Sequence, residues 1–367
     1  MIRIKAPGRI CLFGEHQDYL NFPVIAMAIS KYIYLEAERI SDAKFQIELP
    51  NIDDTIEIPL NNKELEYESK RDYIRSGYNI VLRKGIEFKK GYKIKLTGDI
   101  PMGAGVSSSS ALVVAWLSFL NQISDLTLNN YQLATEGYNA EVKEFGEAGG
   151  KMDFFTSVYG KLIILDLQNK EDILRIDTKL DGFVLGNSLE KKNTVVDLMR
   201  VKSTALNAFK VLKKLYPNFN QYKTSLNELF PYLPNLKKEF QKIIEGNIRN
   251  RDITLQAKEL ILQNLSLLKN PNKNVEELNL FYCKLGGLLN NHQTQLDKNI
   301  GISTKKINTI IKSCHEAGSF GAKINGSGFG GTMFALLPGR EEKIKKAIES
   351  VGGEASTIKT SNGVEVY

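Results

Sequence analysis

The stretch PMGAGVSSSSAL, residues 101–112, is the most informative segment of this chain. Gly103 and Gly105 let the backbone turn sharply and approach a ligand closely. Four serines follow, and the apolar run ALVVAWLSFL then predicts a buried helix. Free N–H groups at such a helix start bind anions, so the stretch predicts a phosphate-binding loop. It lacks the Gly-Lys-Ser/Thr ending of a Walker loop, and the alternative interpretation is a serine-rich cap on a core helix.

A second polar cluster lies in APGRICLFGEHQDY, residues 6–19, where Arg9 follows a Pro-Gly pair. Glu15, His16 and Asp18 then crowd into four positions, between the apolar segments CLF and FPVIAMAI. Such a cluster offers many hydrogen-bond acceptors, which suits the vicinal hydroxyls of a sugar. For His16 taken alone, a hydrogen-bonded turn histidine is an equally good interpretation.

The segment KINGSGFGGTMFALLP, residues 323–338, carries four glycines between two predicted strands. Its GxGxxG spacing is weak evidence for a dinucleotide site, because a strand rather than a helix follows. The pattern predicts a tight loop that shapes a pocket, and a plain hairpin turn is the alternative.

A fourth segment, AEVKEFGEAGGKMDFF, spans residues 140–155 and contains two candidate carboxylates. Glu141 lies late in a predicted helix, and Asp153 follows a Gly-Gly break and precedes two phenylalanines. A carboxylate held in a glycine-rich turn against aromatic rings can take part in proton transfer. Considered by itself, Asp153 is more typical of a helix N-cap.

The composition is that of an ordinary globular protein, with 42% hydrophobic and 25% charged residues over 367 positions. The 49 Lys and Arg exceed the 42 Asp and Glu by seven, a mild excess that suits an anionic ligand and does not require a nucleic acid. Three scattered cysteines without CxxC spacing predict free thiols in a reducing compartment. No apolar run is long enough to span a membrane, and the N-terminus resembles no signal peptide, so we predict a cytoplasmic protein.

Hydrophobic periodicity predicts an α+β protein with two lobes of similar size. The predicted strands are 2–6, 24–38, 45–49, 55–59, 92–98, 161–167, 183–187, 322–326, 332–337 and 354–359. The predicted helices are 72–88, the run after Ser109, 129–144, several across 194–317, and 340–350. The polar stretch at 170–182 predicts the boundary, giving domains at 1–180 and 181–367.

Taken together, the four segments resemble the motifs of the GHMP small-molecule kinases, most closely those of the galactokinase branch. GRICLFGEHQDY is similar to the galactokinase signature GR-x-N-L-I-G-E-H-x-D-Y, and 101–112 is similar to the family's phosphate loop P-x-G-x-G-L-S-S-S-A. The segment from residue 323 is similar to the closing motif G-A-R-x-T-G-x-G-F-G-G. The resemblance implies the two-lobed GHMP kinase fold, with a ribosomal protein S5 domain 2-like N-terminal lobe and an α/β C-terminal lobe. Nucleotide and substrate would lie in the cleft between the lobes.

The same resemblance implies roles for individual residues. Arg9 and Asp153 would be the catalytic pair beside the attacking hydroxyl, and Glu15, His16 and Asp18 would bind the sugar. The ATP phosphates would be bound by Gly103, Ala104, Gly105, Val106, Ser107, Ser108 and Ser109.

The resemblance further implies Mg²⁺ as a cofactor beside ATP, held by Ser109 and Glu141. Tyr73, in a stretch similar to the family's N-Y-V-x-G, would lie near adenine, and a core tyrosine is an equally good interpretation. The implied activity is ATP-dependent phosphorylation of a sugar at its anomeric hydroxyl, with galactose as the leading candidate.

Two departures from the galactokinase pattern leave the substrate open. Leu20-Asn21-Phe22 replaces the family's Asn-Gly-Gly, and Met199 occupies the position of an expected sugar-contacting tyrosine. Both predict an altered rim around the sugar. The alternatives are another hexose, a uronic acid or mevalonate as the substrate, or a non-catalytic sensor of sugar and ATP. The scattered basic residues predict a solvated surface and neither a nucleic-acid nor a membrane partner.

Overall fold

The computed structural model describes residues 1–101, 103–168, 172–191, 194–270 and 274–367. The fold is α+β, as predicted, with helices packed against two β-sheets. The strands are β1 (Ile2–Phe13), β2 (Val24–Ile40), β3 (Lys44–Leu49), β4 (Asp54–Pro59), β5 (Gly91–Gly98), β6 (Leu162–Asp166), β7 (Asp172–Ile176), β8 (Phe183–Asn187), β9 (Gly321–Ile324), β10 (Thr332–Leu336), β11 (Glu354–Ile358) and β12 (Glu365–Val366).

The helices alternate with these strands in the first half and dominate the second. They are α1 (Tyr73–Leu82), α2 (Ser108–Ile123), α3 (Asn130–Tyr138), α4 (Met152–Tyr159), α5 (Thr194–Leu215), α6 (Leu226–Leu229), α7 (Lys238–Gln263), α8 (Leu265–Lys269), α9 (Val275–Gln295), α10 (Lys305–Glu316) and α11 (Glu341–Ser350). Within the described ranges, none of them is both long and apolar enough to cross a membrane.

The larger sheet has the order β12-β1-β2-β5-β3-β4, and β6 and β7 extend it beside the N-terminal end of β2. Its pairs are antiparallel except β3 with β5. Helix α2 packs against β1 and β2 and is buried along most of its length, as its continuous apolar run predicts. The smaller sheet, β11-β8-β10-β9, is antiparallel throughout.

Strand β1 is longer than predicted because it continues through Pro7 and Gly8. Its register against β2 shifts between Pro7 and Arg9, and such an irregularity tolerates a proline inside a sheet. A Cβ on Gly8 would lie only 2.6 Å from the carbonyl oxygen of Val106, so the glycine lets the strand approach the phosphate loop. The extension places Arg9 inside the core rather than in a turn.

The helix predicted over 129–144 is irregular, since α3 ends at Tyr138 and a wider π-helical turn, Asn139–Lys143, follows. This turn carries Glu141, and π-turns inside helices are frequent at functional sites. Asp153 lies in the first turn of α4, and Lys151 is the N-cap, so the N-cap interpretation of Asp153 is wrong.

The predicted division at residues 180 and 181 falls between β7 and β8, where the chain passes from one sheet to the other. The C-terminal β12 returns to the first sheet and pairs with β1. Side chains of α7 and α9, such as Ile253 and Phe281, also belong to the core beneath that sheet. The division into 1–180 and 181–367 stays a prediction.

Candidate active site

The phosphate loop leads into the N-terminus of α2 in a conformation that suits its glycines. Gly103 and Gly105 have φ of 64° and 95°, and Ser107 also lies in the left-handed region at φ 64°. Ser107 occupies the N-cap position without capping the helix by its side chain, and its Oγ is buried with no hydrogen-bond partner in the described part of the chain. The first turn of α2 therefore keeps backbone N–H groups for an anionic ligand.

The carbonyl groups of residues 104–106 are held from behind the loop. The backbone N–H of Arg9 donates to the last of them at 3.2 Å. The middle one accepts from Arg9 Nη1 at 2.7 Å and from Asn325 Nδ2 at 2.9 Å. The first accepts from Thr332, through its backbone N–H at 2.8 Å and its hydroxyl at 2.9 Å. With these carbonyls bound on one side, the loop can present N–H groups on the other.

Arg9 and Asp153 form a bidentate ion pair across 144 residues of sequence. Nε lies 2.8 Å from Oδ1 and Nη2 lies 2.9 Å from Oδ2. Arg9 is only 4% exposed, whereas a quarter of the Asp153 side chain is accessible. Burial disfavours the guanidinium charge, but the carboxylates of Asp153 and Glu15 outweigh it and raise the pKa of Arg9. The pair therefore presents a fixed carboxylate to the cleft, and its catalytic role stays a prediction.

Asp18 lies beside this pair with its carboxylate enclosed by backbone. It accepts from the N–H of Tyr19 at 2.9 Å and from that of Met152 at 3.4 Å. Burial, followed by the charge of Asp153, raises the pKa of Asp18 to about 6. A Cβ on Gly150 would lie 1.8 Å from Asp18 Oδ2, so the backbone turn covers one face of the carboxylate.

His16 has a left-handed backbone, with φ of 60°, and a ring held at both nitrogens. Nε2 lies 3.1 Å from the carbonyl oxygen of Ser327, and because a carbonyl only accepts, Nε2 carries a proton. Nδ1 lies 3.0 Å from the hydroxyl oxygen of Tyr19, so both ring nitrogens have hydrogen-bond partners. The buried Gln17 donates to the carbonyl of Asn247 at 2.7 Å and anchors the same loop to α7.

Glu15 is buried in an ion pair that sequence reasoning missed. Its Oε2 lies 2.9 Å from Lys323 Nζ, and the two side chains are 3% and 0% exposed. Lys323 also donates to the carbonyl of Cys11 at 2.7 Å. The one available signal was a lysine inside the short apolar strand β9. A direct role of Glu15 in sugar binding stays a prediction, and the pair fixes the loop in which Glu15 lies.

Ser109 and Glu141 meet at the edge of the phosphate loop, where Ser109 Oγ donates to Glu141 Oε1 at 2.6 Å. Glu141 is buried, and its Oε2 has no hydrogen-bond partner among the residues that the structure describes. Burial raises the pKa of Glu141 to about 7, partly offset by the hydrogen bond from Ser109. A hydroxyl, a carboxylate and an unpartnered carboxylate oxygen fit Mg²⁺, which binds oxygen ligands.

No group of three or more His, Cys, Asp or Glu side chains assembles as a metal site within the described ranges. A magnesium ion here would therefore take its remaining ligands from phosphates and water, which is its usual mode in kinase sites.

One cleft brings most of the predicted site residues together. Its lining includes Arg9, Glu15, His16, Asp18, Gly103, Gly105, Ser107, Ser108, Ser109, Glu141 and Asp153. Ala104 and Val106, also predicted as ATP-binding residues, are buried and do not line it. Their carbonyl groups accept hydrogen bonds that hold the loop in place, so their predicted contribution to ATP binding would be indirect.

Tyr73 lies at the border of the cleft in an aromatic cluster with Phe145. Its hydroxyl donates to Glu147 at 2.9 Å, and Arg71 forms a bidentate pair with the same carboxylate at 2.8 and 2.9 Å. Arg71 and Glu147 line the cleft, but Tyr73 does not. A position near adenine stays a prediction for Tyr73.

The two departures at the predicted sugar rim lie outside the cleft. Phe22 is fully buried and packs edge-on against Phe209 and Tyr222, with ring centroids 6.1 and 5.7 Å away. Met199 is exposed, and the cleft is lined instead by its neighbour Leu198. Phe22 does not shape the rim, because it packs into the hydrophobic core formed by the second half of the chain. For the exposed Asn21 and Met199, a place at the rim stays a prediction.

A glycine-rich anion loop, a buried Arg–Asp pair and a carboxylate beside a serine hydroxyl define a phosphotransferase-like cleft. Three family models match the chain, and together they span more than half of it. They are the GHMP kinases N terminal domain at 72–161, the GHMP kinases C terminal domain at 283–354 and the galactokinase galactose-binding signature at 2–39. The chain belongs to the GHMP kinase family, as its motifs predict.

Named relatives include kinases of two different substrates. A mevalonate kinase of Pyrococcus furiosus is 28% identical over 95% of this chain and 93% of its own. A galactokinase of the same organism is 27% identical over 92% of this chain and 89% of its own. Sequence similarity therefore supports a small-molecule kinase and does not separate a sugar from mevalonate.

Solved structures confirm the fold. Lactococcus lactis galactokinase complexed with galactose superposes with a TM-score of 0.83 at 20% identity, covering 99% of this chain and 95% of that one. Methanococcus jannaschii mevalonate kinase gives a TM-score of 0.65 at 19% identity, covering 99% and 98%. At this identity the likeness establishes the two-lobed GHMP kinase architecture.

Proposed function

We propose that this protein transfers the γ-phosphoryl group of ATP to the anomeric hydroxyl of a sugar, with galactose as the leading candidate. The products are ADP and the sugar 1-phosphate. One observation carries the proposal: the Arg9–Asp153 pair lies in one cleft with the phosphate loop and with the polar loop of His16 and Asp18. The pair is thus available to a donor at the first loop and an acceptor at the second.

In the proposed reaction the sugar hydroxyl oxygen forms a bond to the γ-phosphorus while the bond to the β–γ bridging oxygen breaks. The hydroxyl proton passes to Asp153, whose two carboxylate oxygens already accept hydrogen bonds from Arg9. Because the transition state of phosphoryl transfer is loose, positioning and charge stabilisation matter more than a strong base. Arg9 supports this by placing a buried positive charge beside the transferred group.

Ser109 and Glu141 would hold Mg²⁺, which would neutralise charge on the ATP phosphates. We expect Glu141→Gln to raise the Mg²⁺ concentration for half-maximal rate by at least about tenfold, because an anionic ligand becomes neutral. Titrating Mg²⁺ at fixed ATP measures this. Glu144→Gln is the matched control, since Glu144 pairs with Arg83 outside the cleft. An unchanged Mg²⁺ requirement in Glu141→Gln would show that Glu141 is no metal ligand.

The end of the cleft around Asp18, where the phosphoryl-acceptor substrate would bind, favours a sugar; we call it the acceptor end. Asp18 accepts hydrogen bonds and is negatively charged when ionised, and the Asp153 carboxylate lies close enough to raise its pKa. Sugar hydroxyl groups would donate hydrogen bonds to these two carboxylates. A substrate that itself carries a carboxylate would be repelled by them. The match to the galactose-binding signature over residues 2–39 covers this loop.

Mevalonate is the second candidate, because a mevalonate kinase is among the relatives that match 95% of the chain. A panel of galactose, other neutral hexoses, a hexuronic acid and mevalonate, at fixed ATP and read by ADP release, separates the candidates. Activity on a neutral hexose supports the proposal. Activity on mevalonate or the uronic acid alone would refute the sugar assignment and keep the kinase. No ADP release with any acceptor, despite ATP binding, would favour a sensor.

The raised pKa of Asp18 predicts pH-dependent acceptor binding. With a pKa of about 6, Asp18 is ionised above that pH and becomes protonated as the pH falls through it. Protonation removes the negative charge of Asp18. The KM for the phosphoryl-acceptor substrate should therefore rise about tenfold between about pH 7.5 and pH 5, at saturating Mg²⁺ and ATP. Asp18→Asn should have a high KM at both values. A wild-type KM that is flat across this range would contradict the assignment of Asp18 as a ligand.

A further inference from the structure

Helix α5 contacts the acceptor end of the cleft from the second half of the chain. Leu198 lines the cleft directly, and Lys202 lies one turn further along the helix. Lys202 Nζ donates to the carbonyl oxygen of Ala148 at 3.3 Å and lies 5.6 Å from the centroid of the Tyr19 ring. An ammonium group at this distance from an aromatic face is attracted to it. One half-buried side chain therefore contacts two segments of the first half.

Both segments that Lys202 joins lie against the Asp18 carboxylate. Tyr19 follows Asp18 in the polar loop, and its backbone N–H donates to that carboxylate. Ala148 opens the turn whose Gly150 backbone lies directly against the same carboxylate. The spacing between loop and turn fixes the space around Asp18, and Lys202 contacts both.

Lys202 has a counterpart on the same helix. The Arg200 guanidinium lies 5.2 Å from the ring centroid of Phe329, in the glycine-rich loop that follows β9. That loop also supplies Ser327, whose carbonyl accepts from His16. Helix α5 thus contacts the surroundings of the acceptor site through two cation–π pairs, and neither pair includes a residue of the phosphate loop.

We propose that Lys202 is a positioning residue that sets the affinity for the acceptor by holding the polar loop against the 148–150 turn. The inference rests on the proposed function, since it assigns the acceptor to this end of the cleft. Lys202 is not required to contact the acceptor or ATP. Its removal should therefore change acceptor binding selectively.

Kinetics of Lys202→Met test the proposal, because methionine keeps much of the side-chain length and loses the charge. We expect the KM for the acceptor to rise about tenfold, while the KM for ATP stays within twofold of wild type. Lys202→Arg, which keeps a cation over the ring, should restore most of the acceptor affinity. Lys214→Met is the matched control, because Lys214 is exposed on the same helix and does not line the cleft. Equal changes in both KM values, or an acceptor KM within twofold of wild type, would overturn the proposal.

Hydrogen exchange gives a readout that does not depend on which acceptor is correct. Peptides covering residues 14–21 and 146–151 should exchange faster in Lys202→Met than in wild type and Lys214→Met, while those covering 103–109 stay unchanged. Faster exchange in both peptides, with no acceptor found in the panel, would refute the proposed function and keep the positioning role. Unchanged exchange would refute the positioning role. If Lys202→Met does not fold, Lys202→Gln replaces it with the same expected outcomes.

Discussion

Replacing Asp153 with Asn is expected to lower kcat about 10³-fold while leaving the binding of ATP and acceptor largely intact. Asn keeps the shape of Asp153 but offers one acceptor oxygen, so one of the two Arg9 hydrogen bonds is lost. It also removes the carboxylate that would receive the hydroxyl proton. Arg9 would remain buried with its charge only partly compensated.

Steady-state kinetics and calorimetric titration of both ligands measure this result. Asp125→Asn is the chemically matched control, since Asp125 is exposed between α2 and α3 and does not line the cleft. A thermal melt accompanies both variants, because breaking a buried pair can also destabilise the fold. A kcat within tenfold of wild type in folded Asp153→Asn would remove Asp153 from the catalytic assignment.

The site could be predicted from sequence where its chemistry lies in short glycine-rich segments. The phosphate loop was identified from its glycines, its serines and the apolar helix after them, and the structure shows that arrangement. The resemblance to the GHMP kinases implies Arg9 and Asp153 as a pair, and the fold brings them to 2.8 Å. Such signals are local, so a single sequence contains them.

The supporting contacts could not be predicted, because each joins residues far apart in the chain. Asn325 donates to the carbonyl of Gly105 and accepts from the N–H of Cys11, joining three segments. Lys323 reaches Glu15 across 308 positions. No periodicity or spacing links such pairs, and they become visible only when β9 packs beside β1 and the phosphate loop.

Side-chain direction was the other point at which sequence reasoning failed. Phe22 follows the sugar motif immediately, and proximity in sequence predicted proximity to the sugar. The short helical turn Asp18–Leu20 and the left-handed Asn21, at φ 60°, redirect the chain, and Phe22 enters the core. The burial of a large aromatic side chain outweighed its position next to the motif.

Gly150→Ala is expected to raise the KM for the acceptor about 100-fold with little change in ATP binding. A Cβ at this position would lie 1.8 Å from Asp18 Oδ2 and 2.1 Å from Cγ, far inside contact distance. Gly150 does not have a positive φ, so alanine strains no backbone angle, and the effect is steric. The carboxylate must move and lose its hydrogen bonds from Tyr19 and Met152, or the turn must shift away.

Gly149→Ala is the control that the chain itself provides. A Cβ on Gly149 would first meet a methyl group of Val142 at 3.1 Å, which a small side-chain adjustment can relieve. The two variants add the same methyl group to adjacent residues, and only one of them is directed at Asp18. Acceptor KM, ATP KM and thermal stability measured on both therefore separate a displaced carboxylate from a disturbed turn. If both variants raise the acceptor KM equally, the turn and not the Asp18 carboxylate determines acceptor binding.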